Sequence, residues 1–450
     1  MPNPETEILL VCALEGALLK TSLRSERVIQ STKSTLERLL SSKLDLKRLQ
    51  LERTEKEATS FSVPVNDDVL KFLADEKKAG RRLALHTSEP LETVNEILSG
   101  NNIFDEIITA DGSDNRLPEN YDYIGVKSTS QSIWDNAAKC YLVGKAPFQG
   151  FAGHFKTPGA NPKTIIKAIR AYQWLKNLLV FVPVITSQQI SDGNALRNTL
   201  IMFFCFSAVA SFGYIVNDLL DLQSDRAHPT KKHRPFASGA LSASQGAVIA
   251  AVLMVLAIIG CLFLPPICSW VLLAYFVLTI SYSLYLKTKL MIDVVSLGGL
   301  FTLRVIGGAA AIQTELSFYL LSFSIFLFSS LAMVKRYAEL HNLRAQNRLA
   351  ARGRGYRVED MAPVRIIGIS LGYMSVFIMG LYINSPLITQ YYSNPKMIWL
   401  MLPLLIYWLG RLWILANRGE VNEDPLIFAI KDRTSLVVLI VSAAMLIAAN

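Results

Sequence analysis

The stretch from Asn217 to Gly239, NDLLDLQSDRAHPTKKHRPFASG, holds the densest chemistry in the chain. Asp218, Asp221 and Asp225 stand at i, i+3 and i+7, a spacing that places them on one face of a helix. Like charges so placed repel unless a cation joins them. Hard oxygen ligands at this density, with Asn217 as a fourth, suit Mg²⁺, which keeps some of its waters and binds together with a substrate phosphate. Pro229 ends the helix. Lys231, Lys232 and Arg234, with Arg226 just before them, form a clamp for further phosphate oxygens. The bland alternative is an interfacial cap with snorkelling charges. Against it, an acid in a membrane helix costs about 2.5–3.5 kcal/mol at mid-span.

The elements that must position these groups are mostly apolar. Of 450 residues, 51% are hydrophobic and only 18% charged, with a mean hydropathy of +0.33; soluble domains carry about 25% charged residues. Cys12, Cys140, Cys205, Cys261 and Cys268 are odd in number and contain no C-x-x-C pair, which excludes a disulfide scaffold and a zinc ribbon. Residues 1–150 read as soluble; residues 151–162, FAGHFKTPGANP, are a Gly/Pro-rich linker; residues 163–450 read as a membrane domain. Nine apolar stretches of bilayer length are expected there: 172–188, 197–217, 244–264, 266–284, 291–311, 317–337, 365–386, 396–416 and 434–450. The run at 8–14 is short, follows Glu5 and Glu7 and has no basic lead, so it is not expected to be a signal peptide.

Basic residues crowd alternate loops. Arg226, Lys231, Lys232 and Arg234 follow the second stretch, Lys287 and Lys289 the fourth, Lys335 to Arg365 the sixth, and Arg411 to Arg433 the eighth. One orientation satisfies all of them, with the N-terminal domain in the cytoplasm of a bacterial-type inner membrane. The net charge of +9 is therefore a topological charge, and no basic, aromatic-interleaved surface remains for nucleic acid. Other polar groups in the membrane half carry two readings each. Lys176 and Asn177 can contact phosphate or anchor the first stretch. Tyr282 and Lys287 can touch a leaving diphosphate or mark the interface. Asp293 and Arg304, three helical turns apart, are expected to pair within the membrane. Gly307 and Gly308 permit close helix packing.

The N-D-x-x-D-x-x-x-D pattern in such a chain resembles the UbiA superfamily of intramembrane prenyltransferases, over about residues 163–450. AYQWLKNLLVF (171–181) and YSLYLK (282–287), followed by Asp293 and Arg304, resemble further segments of that family. His228, Pro229, Lys231, Arg234 and Pro235 resemble the branch that includes decaprenyl-phosphate phosphoribosyltransferase, although Ala171 stands where that branch usually has Pro. GRGY (353–356) and the stretch 407–433 resemble segments of a bacterial subgroup without an assignable chemistry. The resemblance implies an all-α polytopic domain and a Mg²⁺-dependent transferase acting on a prenyl lipid. Aromatic prenyltransferases of the superfamily carry a second Asp-rich motif after span six. Here that region reads MVKRYAELHN. Lys335 and Arg336, with Glu339, fit a separate monophosphate, hence a polyprenyl phosphate beside a phosphoribosyl diphosphate donor. As topological anchors the two bases would instead bridge to Glu339. Prenyl transfer from a prenyl diphosphate to an aromatic acceptor is the alternative reaction, and a non-catalytic lipid-binding protein is a third reading. Homo-oligomerisation is compatible with all three.

The first 150 residues read as an α/β, Rossmann-type domain, with strands at 8–14 and 81–87 and helices at 25–55 and 91–99. ILLVCALEGALLKTS resembles the D-x-D-G-T motif of haloacid dehalogenase-like phosphatases. That resemblance puts Ala13 at the nucleophile, Glu15 at the general acid and Ala17 at the Thr, and keeps only Gly16. Thr87 or Ser88 would be the phosphate ligand of the second motif. The metal-acid motif would fall on Gly125 to Ser130, where the acid is missing. Without a nucleophile no aspartyl-phosphate can form, so the domain is expected to be a pseudoenzyme giving support, oligomer contacts or ligand sensing. Replacing Asp218 or Asp221 by Ala is expected to abolish transfer while membrane insertion and yield stay normal; an assay of either purified variant that finds wild-type turnover with Mg²⁺ still required would refute the metal assignment.

Overall fold

The computed structural model describes residues 8–41, 63–98, 103–109, 117–144, 150–156, 161–347, 355–386, 388, 392–394, 396–421 and 424–449. The linker at 157–160, the second half of the helix expected at 25–55 and the arginines at 348, 352 and 354 lie outside the described residues. Two compact units emerge: residues 1–170 with 214–251, and residues 171–213 with 252–450. The first unit thus takes in the acid segment as well as the N-terminal domain.

In the first unit, β1 (Leu9–Ala13), β2 (Leu83–Thr87), β3 (Glu106–Thr109), β4 (Tyr121–Val126), β5 (Cys140–Gly144) and β6 (Gly153–Lys156) form a parallel sheet in the order β3-β2-β1-β4-β5-β6. Leu10, Val11 and Cys12 of β1 and Leu83, Ala84 and Leu85 of β2 are fully buried. Both faces are covered, which is why these strands read as continuous apolar runs rather than alternating ones. Helices α1 (Leu23–Ser41), α2 (Asp67–Lys78) and α3 (Leu91–Leu98) follow; Leu23, Val69, Leu73 and Val94 enter the core with Leu10, Leu14 and Ile124. The strand order reverses between β1 and β4, the place where open α/β sheets present ligand sites at their carboxyl ends. Gly16 follows β1 with φ +78°, and a Cβ there would lie 2.9 Å from Val126 Cγ1. Glycine is required on both counts, and Val126 fills the space beside it.

The acid segment continues from α4 (Gly193–Leu220) into the short α5 (Leu222–Arg226). The membrane half then runs through α6 (Ala243–Leu262), α7 (Pro266–Leu284), α8 (Ile292–Ala311), α9 (Phe318–Ala345), α10 (Met361–Ile383), α11 (Met401–Asn417), α12 (Pro425–Lys431) and α13 (Arg433–Ala448). Among the described residues, 7 helices are long and apolar enough to cross a membrane: α4, α6, α7, α8 and α9, and those at Val358–Ile383 and Lys396–Asn417. The two remaining stretches of the expected nine differ in form. The stretch 172–188 is a 3-10 helix, Ala171–Phe181, followed by a five-residue α-helix, Val182–Thr186, with Pro183 in its first turn. The last, α13, has 16 residues. Apolar length alone cannot tell a straight spanning helix from such a broken one.

Gly307 and Gly308 do serve close packing, though of different partners. A Cβ on Gly307 would lie 2.3 Å from the Phe206 ring, and one on Gly308 would lie 2.0 Å from the Val180 carbonyl oxygen. The latter contact seats the 3-10 segment on α8 against rigid backbone. Gly308→Ala is expected to destabilise the protein by at least the roughly 1–3 kcal/mol of an overpacked core, seen as a lower melting temperature in detergent; an unchanged melting temperature would show that the 3-10 segment can move aside.

Candidate active site

In the acid segment, helical geometry holds only in part. Asp221 adopts φ −97°, ψ 13° between α4 and α5, so the helix turns in the middle of the acids. Its amide still donates to the Asn217 carbonyl at 3.0 Å, and the Asp225 amide to the Asp221 carbonyl at 2.8 Å. Asp218 and Asp225 are both buried and meet at one nitrogen: Arg234 Nη1 donates to Asp218 at 3.0 Å and to Asp225 at 2.6 Å. Arg170, lying over the Tyr214 ring, adds a bond to Asp218 at 2.5 Å. The third carboxylate is turned to Lys33 of α1, 3.5 Å away. The expected single face of three acids is therefore divided into a converging pair and a separate neighbour.

Among the described residues no three His, Cys, Asp or Glu side chains gather as a ready-made metal site. The donor set nevertheless suits a hard divalent cation. Two buried carboxylates already share one positive position, and Asp221 is three residues from Asp218. Of the expected phosphate ligands, Lys231 and Lys232 are exposed, Lys232 directly before His233 and the acid-binding Arg234. Asn217 is half-buried in the last turn of α4. Arg226 has another role: both terminal nitrogens bind Glu26 of α1, at 2.8 and 2.6 Å, and its side chain is only 4% exposed. It is an internal anchor, which corrects its assignment to substrate.

The second unit carries its own polar cluster, centred on Arg336 of α9. This guanidinium is fully buried. Nε donates to Asp293 of α8 at 2.6 Å, Nη1 to Glu339, and Nη2 to the Tyr282 hydroxyl of α7 at 3.1 Å. The Tyr356 hydroxyl donates to the other Asp293 oxygen at 2.8 Å and accepts the Met291 amide at 3.0 Å. Asp293 thus pairs with Arg336, and the expected Asp293–Arg304 pair is absent. Eleven residues of helix set those two about 16 Å apart along the axis, and sharing a face does not close that distance. Arg304 instead donates to the Asn177 amide oxygen at 2.7 Å, the Tyr275 hydroxyl at 2.8 Å and the Leu300 carbonyl. Asn177 also donates to Ser207 at 2.9 Å. Both ends of its amide are held by protein, so it braces the 3-10 segment.

Lys176 pairs with Asp424, whose other oxygen caps α12 through the Leu426 amide at 3.2 Å. Burial opposes the charge of Asp424, but Lys176 and Lys335 nearby prevail and hold its carboxyl below the usual range. Lys335 and Lys287 are half-buried. Sequence reasoning named Tyr282 with Lys287, and Arg336 and Glu339 with Lys335; the structure joins Tyr282, Arg336 and Glu339 in one group, and Arg170, Tyr356 and Asp424 were missed. The last two lie in stretches whose family likeness was visible but whose chemistry depends on partners far along the chain. Arg336→Ala is expected to cost about 3–5 kcal/mol by leaving Asp293 buried and unpaired, read as lost thermal stability in detergent. Lys335→Ala should lack that loss; equal stability of the two variants would refute the buried-pair assignment.

Residues 180–445 match the profile of the UbiA prenyltransferase family. An uncharacterized protein, y4nM, of Sinorhizobium fredii is 30% identical over 455 residues, covering 95% of this chain and 88% of that one. The nodulation protein NoeC of Azorhizobium caulinodans is 34% identical over 281 residues, 62% of this chain and 90% of its own. Decaprenyl-phosphate phosphoribosyltransferase of Mycobacterium tuberculosis is 35% identical over 185 residues, 39% of this chain and 60% of that enzyme.

Proposed function

The chain belongs to the UbiA prenyltransferase family, and from that premise we propose that it moves 5-phosphoribose from phosphoribosyl diphosphate to a polyprenyl phosphate, releasing diphosphate. It is a multi-pass membrane protein and a family transferase; the donor and acceptor are our reading. One observation carries it. Where the aromatic branch has a second acidic motif, this chain has Lys335 and Arg336, with Arg336 locked to Asp293 and Glu339 and Lys335 beside the Lys176–Asp424 pair. With Arg336 neutralised by its two carboxylates, the positive charge left there is that of Lys335 and Lys176 against Asp424 alone, which suits a lipid monophosphate better than a second metal. The match to a phosphoribosyltransferase over 39% of the chain supports the same branch.

In this reading a phosphate oxygen of the lipid attacks the anomeric carbon of the donor, and the bond from that carbon to diphosphate oxygen breaks. The nucleophile is already an anion, so no general base is needed. Asp218, Asp221 and Asp225, with Asn217, would hold Mg²⁺, which when bound neutralises charge on the departing diphosphate. Lys231 and Lys232 supply exposed cations beside them for the same group. Lys176 and Lys335 hold the acceptor phosphate, and Arg336 positions Tyr282 and Glu339 around it. The alternation of basic loops supports a cytoplasmic side for these groups and the N-terminal domain.

We read the sheet domain as catalytically inert. Ala13 ends β1 where a nucleophile would stand, and Val126 packs on Gly16. Glu15 accepts the Leu23 amide at 2.9 Å and Thr87 the Glu89 amide at 3.0 Å, so both are engaged in local structure. The decisive assay incubates the full chain in detergent with Mg²⁺, polyprenyl phosphate and labelled phosphoribosyl diphosphate. A labelled lipid product, formed with release of diphosphate, is expected. Labelling from a prenyl diphosphate onto an aromatic acceptor instead would move the protein to the other branch. The same preparation, with its membrane site blocked by Asp218→Ala, should hydrolyse no small phosphate ester; Mg²⁺-dependent hydrolysis would refute the inert reading.

A further inference from the structure

The sheet domain reaches the acid segment at three points within the same unit, two of them through helix α1 and one beside it. The first is Glu26. It is buried, accepts the Thr21 hydroxyl at 2.6 Å, and holds Arg226, the residue after Asp225, through both terminal nitrogens. Arg226 Nε completes the joint on the Ala237 carbonyl at 3.2 Å. The second is Lys33, seven residues on and so on the same face of α1. Its ammonium donates to the Leu220 carbonyl, the last of α4, at 2.6 Å and stands 3.5 Å from Asp221. A cation at a helix carboxyl end is favoured by the helix dipole. The third is Gly239, with φ +74°, where a Cβ would lie 2.8 Å from Lys20 Cβ and 3.0 Å from Pro64 Cγ. Start, middle and end of the stretch 220–239 are thereby tied to the sheet domain.

Building on the reading of the acid segment as a metal and diphosphate site, we propose that α1 is the positioning element of that site. Glu26 acts through Arg226 to set Asp225, and Lys33 sets Asp221 and lowers the negative charge of the acids. The joint is a matched, buried, two-pronged ion pair, which has one low-energy geometry and no ready substitute once broken. Lys33 is different in kind: it is partly exposed, and its charge competes with any other cation for Asp221. The segment then takes a divalent cation weakly by itself and better once an anionic substrate adds its own charge. The surviving role of the sheet domain is to hold this segment.

The test uses the full chain in detergent, amide hydrogen exchange over 218–239, and titration with Mn²⁺ as a spectroscopic stand-in for the metal. Glu26→Gln and Glu26→Arg should speed exchange in that stretch and weaken Mn²⁺ binding about tenfold, a modest share of what a broken buried pair can cost. Combining Glu26→Arg with Arg226→Glu should restore both. Lys33→Met should tighten Mn²⁺ binding, a direction that mere loosening would not give. Unchanged exchange in the Glu26 variants, loosening without a change in Mn²⁺ affinity, failure of the reversed pair to restore either, or Lys33→Met that fails to tighten binding overturns the proposal. Asp218→Ala separates the deeper failure: if it leaves wild-type Mn²⁺ binding intact, the acid segment is not the metal site, and the proposal falls with that reading.

Discussion

A carboxylate removed from water costs several kcal/mol unless a cation meets it with good geometry. Glu26, Asp122, Asp218, Asp225 and Asp293 are all buried in this chain, and an arginine meets each: Arg226, Arg81, Arg234 with Arg170, Arg234 again, and Arg336. Arginine suits the task because its fork can serve two acceptors at once while staying charged. Arg234 joins two acids of one segment; Arg336 joins Asp293, Glu339 and Tyr282. These joints decide which polar groups remain for substrate. Arg226 and Arg336 are consumed by structure, whereas Lys231 and Lys232 are exposed.

The same constraint explains how acids persist at the end of a membrane helix. Asp218 and Asp225 converge on one position suited to a positive group, and Arg234 holds that place. A guanidinium is a poor competitor for hard oxygen ligands once a small divalent ion and a phosphate arrive together, because the ion brings more charge to a shorter distance. Under the proposed function, the segment is thus held without substrate and still chemically suited to binding a cation. The buried arginine of the second unit is held differently. Arg336 is enclosed by three partners, and its role is to fix α7, α8 and α9 to one another.

We read the N-terminal sheet as catalytically inert. Strand order and the reversal between β1 and β4 are those of a ligand-binding α/β sheet, but the strand tips present Ala13, Val126 and hydrogen bonds already made. Polar contact has moved to the flank of α1, where Glu26 and Lys33 face the acid segment.

Much could be read from residue order alone. Apolar length marked the membrane helices, because crossing a bilayer requires a minimum run of apolar residues. Alternation of basic loops gave an expected orientation, and the spacing of Asp218, Asp221 and Asp225 pointed to a candidate site. Buried β1 and β2 were visible as apolar runs. What the sequence could not supply was partnership. Asp293 and Arg304 share a helical face, yet one bonds Arg336 and the other Asn177; Lys176 meets Asp424, 248 residues away; and Arg226 turns to Glu26, 200 residues back. Periodicity reports which face a residue occupies, over a few turns of one helix. Which charge on another element closes against it depends on how the helices pack, and only the tertiary structure decides that.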